Sequence, residues 1–196
     1  MSDNLSPFAL DALGEVSNIG SGHAATALSQ MIGRSVDLTV PDSRVVPLAE
    51  ATALLGEPEE EVVAVLTPIT GGMEAQVLLV IDLESAGNLC AMLGVEAMSE
   101  MGMSALCEIG NILTSSYLNA ISQFTGVPLE PSPPMAAVNM LGALVDGTLA
   151  MAAAESDGVL ILRTAVAIEG DTSGVNFTFV TTGELTALLA GLGLPA

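Results

Sequence analysis

Residues 15–33 read EVSNIGSGHAATALSQMIG, and residues 108–126 read EIGNILTSSYLNAISQFTG. Each stretch opens with a Glu-x-x-Asn motif: Glu15 and Asn18 in the first, Glu108 and Asn111 in the second. The same shift of 93 residues relates further identical residues: Ala27 and Ala120, Gly33 and Gly126, Pro41 and Pro134. A shift that recurs in this way predicts a tandem duplication.

Both stretches show the apolar periodicity of an amphipathic helix. The first helix is expected to start at Ser6-Pro7, a favourable N-cap and first helical residue, and to stop at Gly33. The second is expected to stop at Gly126. On a helical wheel the Glu and Asn of each motif lie away from the apolar stripe, so both pairs are expected to face outward.

Strand-like apolar runs follow each helix. They are Val36–Val40, Arg44–Leu48, Val62–Ile69 and Ala75–Ile81, then Ala136–Leu141, Thr148–Ala153, Val159–Ile168 and Val175–Thr181. Shorter helices are expected to close the two halves at about Glu84–Leu93 and Gly183–Leu192.

The element order predicts a mixed α/β fold of the α+β type, made by duplication of an α–β–β–β–α unit. The repeat halves span about 1–95 and 96–196. Since no linker composition separates them, we expect a single domain over residues 1–196. Its expected form is a continuous antiparallel sheet with two long helices side by side on one face, in pseudo-two-fold symmetry.

Charge limits the possible partners. The sequence contains three arginines and 23 acidic residues, which gives a net charge of −20. Nucleic acid and anionic membranes are therefore poor partners, because both require cationic patches. Adaptation to high cytoplasmic salt and an acidic surface for a basic partner both explain this balance, and both can hold.

No apolar run approaches the roughly 18 residues of a membrane span, and the first residues show no signal segment, so we expect a cytoplasmic protein. Cys90 and Cys107 lie in apolar helical patterns and are expected to be buried free thiols.

Residue usage excludes several chemistries. The sequence has no lysine, and therefore no phosphate-binding P-loop or Schiff-base site. One histidine and two cysteines do not make a typical zinc site, so we expect no cofactor or metal bound by this chain. His23 lies at the margin of the apolar stripe, where a packing role is expected. The acidic residues of 57–61 are expected to form a solvated loop.

The Glu/Asn pairs offer modest chemistry. An asparagine amide donates and accepts hydrogen bonds and can orient a water molecule, while a glutamate can accept a proton or anchor a cation. These two groups suit a labile substrate such as an aspartyl phosphate in a receiver domain. The receiver domain itself supplies Mg²⁺ and a lysine. Alternatively, the pairs are inherited surface residues without a role.

At these motifs the chain resembles the CheC family of chemotaxis proteins, which are phosphatases of phosphorylated CheY. The resemblance implies that Asn18 and Asn111 position the attacking water as catalytic residues, and that Glu15 and Glu108 dock the receiver. It also implies CheD as a further partner. The family motif is expected to have glycine before the asparagine. Gly110 fits this pattern, whereas the first motif has Ser17, which is expected to limit the approach of a partner backbone to the first site. His23 replaces a small amide residue.

Two other functions stay open. One is a non-enzymatic adaptor that binds CheD or a receiver, with a flagellar-switch-like fold; the other is a scaffold without receiver contact. A monomer is expected, because the duplication already supplies both helices.

Overall fold

The computed structural model describes residues 7–152, 158–170 and 175–183. These residues form five helices and seven strands, in the order α1 (Pro7–Ile32), β1 (Val36–Pro47), α2 (Leu48–Leu55), β2 (Glu61–Gly71), β3 (Ala75–Asp82), α3 (Leu83–Met92), α4 (Glu100–Thr125), β4 (Leu129–Pro131), β5 (Met135–Met140), α5 (Leu141–Ala152), β6 (Gly158–Ile168) and β7 (Val175–Gly183). Over this part of the chain, no helix is both long and apolar enough to span a bilayer.

All seven strands join one antiparallel sheet, which confirms the predicted mixed α/β class and continuous sheet. The order is β1-β6-β7-β3-β2, and β4 and β5 both pair with β2 at the far edge. Strands from the two halves of the sequence are therefore interleaved: the pair β6 and β7 lies between β1 and β3, and β5 pairs with β2.

The sheet is covered on both faces. On β2, Val63 and Val65 point into a core shared with α1, α3 and α4, whereas Val62 and Ala64 point into a second core shared with α2 and α5. Alternate strand residues face opposite sides of a sheet, so covering both sides makes the strand almost continuously apolar. The two long helices share one face as predicted, and the helices on the opposite face are an addition to the prediction.

Two strand predictions are wrong in detail. The run Thr148–Ala153 lies largely in α5, whose buried Leu141, Val145 and Leu149 recur every fourth residue, as in a helix. The runs Val36–Val40 and Arg44–Leu48 form one strand, β1, interrupted by a register shift between Thr39 and Asp42; Leu48 then begins α2.

The N-terminal unit is thus α–β–α–β–β–α rather than α–β–β–β–α. The second closing helix, expected at 183–192, falls outside the described residues except for Gly183, which ends β7.

The long helices repeat local structure. Both have 26 residues, and their ends differ by the same 93-residue shift. Gly33 and Gly126 have φ of 73° and 71°, a left-handed conformation that favours glycine after a helix. The hydroxyl of Ser29 accepts the N–H of Val36 at 2.9 Å, and that of Ser122 accepts the N–H of Leu129 at 3.1 Å. Duplication of the complete unit stays a prediction.

Candidate functional site

The two motif-bearing helices pack directly on each other. A Cβ atom on Gly20 would lie 2.7 Å from Cδ1 of Tyr117 and 3.1 Å from its Cα. Only glycine fits at this position without moving the opposite backbone. The close approach fixes where α1 crosses α4.

A chain of hydroxyl groups crosses the same interface. Ser21 donates its only hydroxyl hydrogen to the carbonyl of Ser17 at 2.7 Å, so it accepts from the Tyr117 hydroxyl at 2.9 Å. The Tyr117 oxygen lies 3.5 Å from Oγ1 of Thr164 on β6, which is then the donor to it. Burial raises the pKa of Tyr117, and its hydrogen bonds to Ser21 and Thr164 partly oppose this. These hydrogen bonds connect α1, α4 and strand β6 of the sheet.

The first pair lies on an exposed face of α1. Glu15 and Asn18 are exposed, whereas Val16 and Ser17 between them are buried. Ile19 beside them is 43% exposed. His23 is also exposed, so the expected packing role of this histidine is wrong: it lies on the solvent side of the stripe margin.

The second pair has a different environment. Glu108 is exposed, but Asn111 is half-buried, and the hydroxyl of Ser115 donates to its Oδ1 at 3.4 Å. Gly22 occupies the corresponding position in the first helix and has no side chain for this bond. The structure therefore holds the Asn111 amide by a contact that Asn18 lacks.

The difference between Ser17 and Gly110 concerns internal packing. Ser17 is 4% exposed, and a Cβ atom on Gly110 would lie 2.8 Å from Cγ1 of Val65 in the sheet. Both positions face the interior of the molecule. The expectation that Ser17 limits the approach of a partner is therefore wrong.

An open groove lies between the start of α4 and the edge strand β5. This α4–β5 groove has a volume of about 460 Å³ and is lined by Glu100, Met103, Ser104, Cys107, Glu108, Pro134 and Ala136. The motif residue Glu108 thus belongs to its wall. No sequence signal indicated this groove, because its two walls come from segments about 30 residues apart.

The two cysteines are free thiols and differ in burial. Cys90 is fully buried as expected, whereas Cys107 is only half-buried and faces the α4–β5 groove. Burial raises the pKa of both thiols, and a hydrogen bond with the backbone of Ala136 partly opposes this at Cys107.

Acidic side chains do not converge into a metal site in the described ranges. Within 7–152, 158–170 and 175–183, no three His, Cys, Asp or Glu residues are grouped so that they could hold a metal ion. Residues 57–61 are exposed, as expected for a solvated acidic loop. The polar groups exposed on the two helices include the carboxylates of Glu15 and Glu108, the amide of Asn18 and the imidazole of His23.

The CheC-like family matches the chain over two segments, residues 8–43 and 101–136. Each segment contains one Glu-x-x-Asn motif and most of one long helix. The segments are again offset by 93 residues.

Two relatives have names that describe a chemotaxis or motor phosphatase. The CheY-P phosphatase CheC of Bacillus subtilis (strain 168) is 28% identical over 165 residues, covering 80% of this chain and 79% of the relative. The flagellar motor switch phosphatase FliY of the same strain is 31% identical over 139 residues, which are 67% of this chain and only 36% of FliY.

The fold has a counterpart among solved structures. The crystal structure of Thermotoga maritima FliY matches with a TM-score of 0.78 over 96% of both chains, at 24% identity. At this identity the likeness establishes the architecture.

Proposed function

We propose, on the premise that this chain belongs to the CheC-like family, that it hydrolyses the aspartyl phosphate of a CheY-type response regulator. The observation that carries the proposal is the pair of Glu-x-x-Asn motifs on two helices in direct contact, with Glu15, Asn18 and Glu108 exposed and Asn111 half-buried. The name of its CheC relative, a CheY-P phosphatase, agrees with this substrate.

In the proposed reaction, Asn18 or Asn111 inserts beside the acyl phosphate and orients a water molecule through its amide. The water oxygen attacks phosphorus as the bond between phosphorus and the aspartate oxygen breaks, which yields a free aspartate carboxylate and inorganic phosphate. The receiver supplies Mg²⁺ and a lysine, which neutralise charge on the transferred group. This chain therefore contributes the positioning of the attacking water rather than charge. Positioning of the reacting groups is a major source of catalysis in phosphoryl transfer.

Glu15 and Glu108 are proposed to dock the receiver. Both carboxylates are exposed, in a chain whose net charge of −20 favours approach of a basic surface. Exposed ion pairs are individually weak and are screened by salt. Docking is therefore expected to weaken as ionic strength rises. Binding of CheD stays a prediction carried from the resemblance.

The test separates the two roles by steady-state kinetics on a phosphorylated CheY-type receiver. Asn18→Ala and Asn111→Ala should lower kcat, whereas Glu15→Gln and Glu108→Gln should raise KM. Asn119→Ala is the matched control, because Asn119 is an exposed asparagine on the same helix as Asn111, outside the motif.

A different result would change the assignment. If both asparagine variants were silent while Glu108→Arg abolished receiver binding, the chain would be an adaptor rather than a phosphatase. If wild-type protein neither bound the receiver nor increased phosphate release, both receiver-based functions would be wrong.

A further inference from the structure

The α4–β5 groove opens directly beside the second Glu/Asn pair. Glu100, Ser104 and Glu108 recur at every fourth residue of α4, so they share one side of the helix. Pro134 and Ala136 form the opposite wall. A ligand that contacts Glu108 is therefore also close to the groove.

The charges of the groove have a single sign. Glu100 and Glu108 are the only acidic residues among those that line it, and Arg34, Arg44 and Arg163 do not belong to the lining. Glu100 and Glu108 lie eight positions apart on α4, which is a rise of roughly 12 Å along the helix axis. Met103 and Ala136 supply apolar surface in the same groove. This pattern fits a segment that carries basic side chains and an apolar one.

Exposed apolar side chains cluster around the same region. Eight large hydrophobic residues are exposed in the part of the chain whose side chains are described, and four of them lie near the groove: Met98, Met101, Val138 and Met140. On β5, Val138 and Met140 share the α4 side of the sheet with Ala136, whereas the exposed Met135 lies on the opposite side. Methionine is common on surfaces that adapt to a partner, because its side chain is flexible and polarisable. Such a concentration beside an open groove marks an interaction surface.

We propose that the α4–β5 groove is a docking surface for a basic, partly apolar segment of the receiver domain. The proposal rests on the proposed function, and it extends the contact beyond the Glu/Asn face onto the edge of the sheet. A second copy of this chain is a poor occupant, since two surfaces of a molecule with net charge −20 repel each other.

Binding is measured with a CheY-type receiver that carries Mg²⁺ and beryllofluoride, a stable mimic of the aspartyl phosphate. Ser104→Trp fills the groove and should weaken receiver binding about tenfold, a typical effect of disrupting a central contact. Asn119→Trp adds the same bulk at an exposed site on α4 outside the groove and should bind normally. In turnover, Ser104→Trp should raise KM and leave kcat unchanged.

Charge is tested separately. Glu100→Arg should weaken receiver binding, whereas Glu84→Arg should not, although both glutamates are exposed and lie in the first turn of a helix.

The receiver should also slow modification of the Cys107 thiol by a maleimide. Cys90 is an internal control for unfolding, because its thiol is fully buried.

The outcomes distinguish the two proposals. Normal binding by Ser104→Trp and Glu100→Arg, with unprotected Cys107 and intact phosphatase activity, would overturn the groove proposal alone. Groove-dependent binding without increased phosphate release would support the groove and overturn the phosphatase. Absence of receiver binding, or protection of Cys107 by self-association without the receiver, would overturn the groove proposal.

Discussion

The hydroxyl of Tyr117 on α4 lies 2.9 Å from the hydroxyl of Ser21 on α1 and joins the two helices that carry the Glu-x-x-Asn motifs. The contact is buried and continues to Thr164 on β6 at 3.5 Å. Asn18 and Asn111 lie on these same helices, within six residues of the contact. Their relative position is therefore set by a specific polar contact as well as by apolar packing.

Removing the tyrosine hydroxyl should destabilise the fold. Tyr117→Phe leaves Ser21 and Thr164 without this partner in the interior, and the expected loss in free energy of unfolding is about 1–2 kcal/mol. Urea unfolding measures it. In the Ser21→Ala/Tyr117→Phe double variant the loss should be smaller than the sum of the single losses, because both partners are gone. Strict additivity would mean that the two hydroxyls do not interact.

Adding a methyl group at the helix crossing should also be unfavourable. Gly20→Ala places a Cβ atom 3.1 Å from the Cα of Tyr117, and the expected cost is about 1–3 kcal/mol. Gly22→Ala is the matched control: its Cβ would meet nothing within 4 Å, so the better helix propensity of alanine should stabilise by up to about 1 kcal/mol. Equal effects at both glycines would contradict the close crossing.

Alkaline pH should weaken the fold through Tyr117. Burial raises the pKa of this phenol above its ordinary value of 10.0, so the unfolded chain ionises first. The stabilising contribution of the neutral phenol is fully present below about pH 10 and is lost as pH rises through the folded-state pKa.

Few other side chains of this sequence titrate in the same alkaline range. The chain has one tyrosine and no lysine. Cys90 and Cys107, whose pKa values are raised from 9.0, begin to contribute at lower pH. Urea unfolding across the alkaline range should show a smaller decrease above about pH 10 in Tyr117→Phe than in wild type. An identical decrease would mean that Tyr117 does not cause it.

The hydroxyl of Ser115 should help to orient the amide of Asn111. In an Asn18→Ala background, which leaves one working site, Ser115→Ala should lower kcat about two- to fivefold and leave KM unchanged, as expected for one modest hydrogen bond. Ser115→Thr retains the hydroxyl and should restore kcat. A change confined to KM would instead indicate that Ser115 contacts the receiver.

The long helices were predictable because local signals agree there. Apolar residues recur over 26 residues, and Gly33 and Gly126 have the left-handed φ that ends each helix. The short helix α5 was missed, since a compact apolar run such as residues 148–153 does not by itself distinguish strand from helix. Pairing of β1 with β6 depends on residues more than 100 positions apart, which local periodicity does not report.

The candidate site also has features that the sequence predicts and features that depend on tertiary packing. Exposure of Glu15, Asn18 and Glu108 follows from helical periodicity, and the wheel predicts it. The partial burial of Asn111 beside Ser115 depends on how α4 sits in the fold, as does the groove formed with β5. Periodicity places a residue on a face, whereas tertiary packing decides how far that face is covered.

The most direct test compares the dephosphorylation rate of a phosphorylated CheY-type receiver with wild-type protein and with the Asn18→Ala/Asn111→Ala double variant. We predict that wild type accelerates phosphate loss and that the double variant loses at least about 10²-fold of this acceleration, as expected on removal of a positioned polar group in a catalytic site. The double variant should still bind the receiver and unfold at the wild-type urea concentration. Acceleration equal to wild type in the double variant would contradict the account.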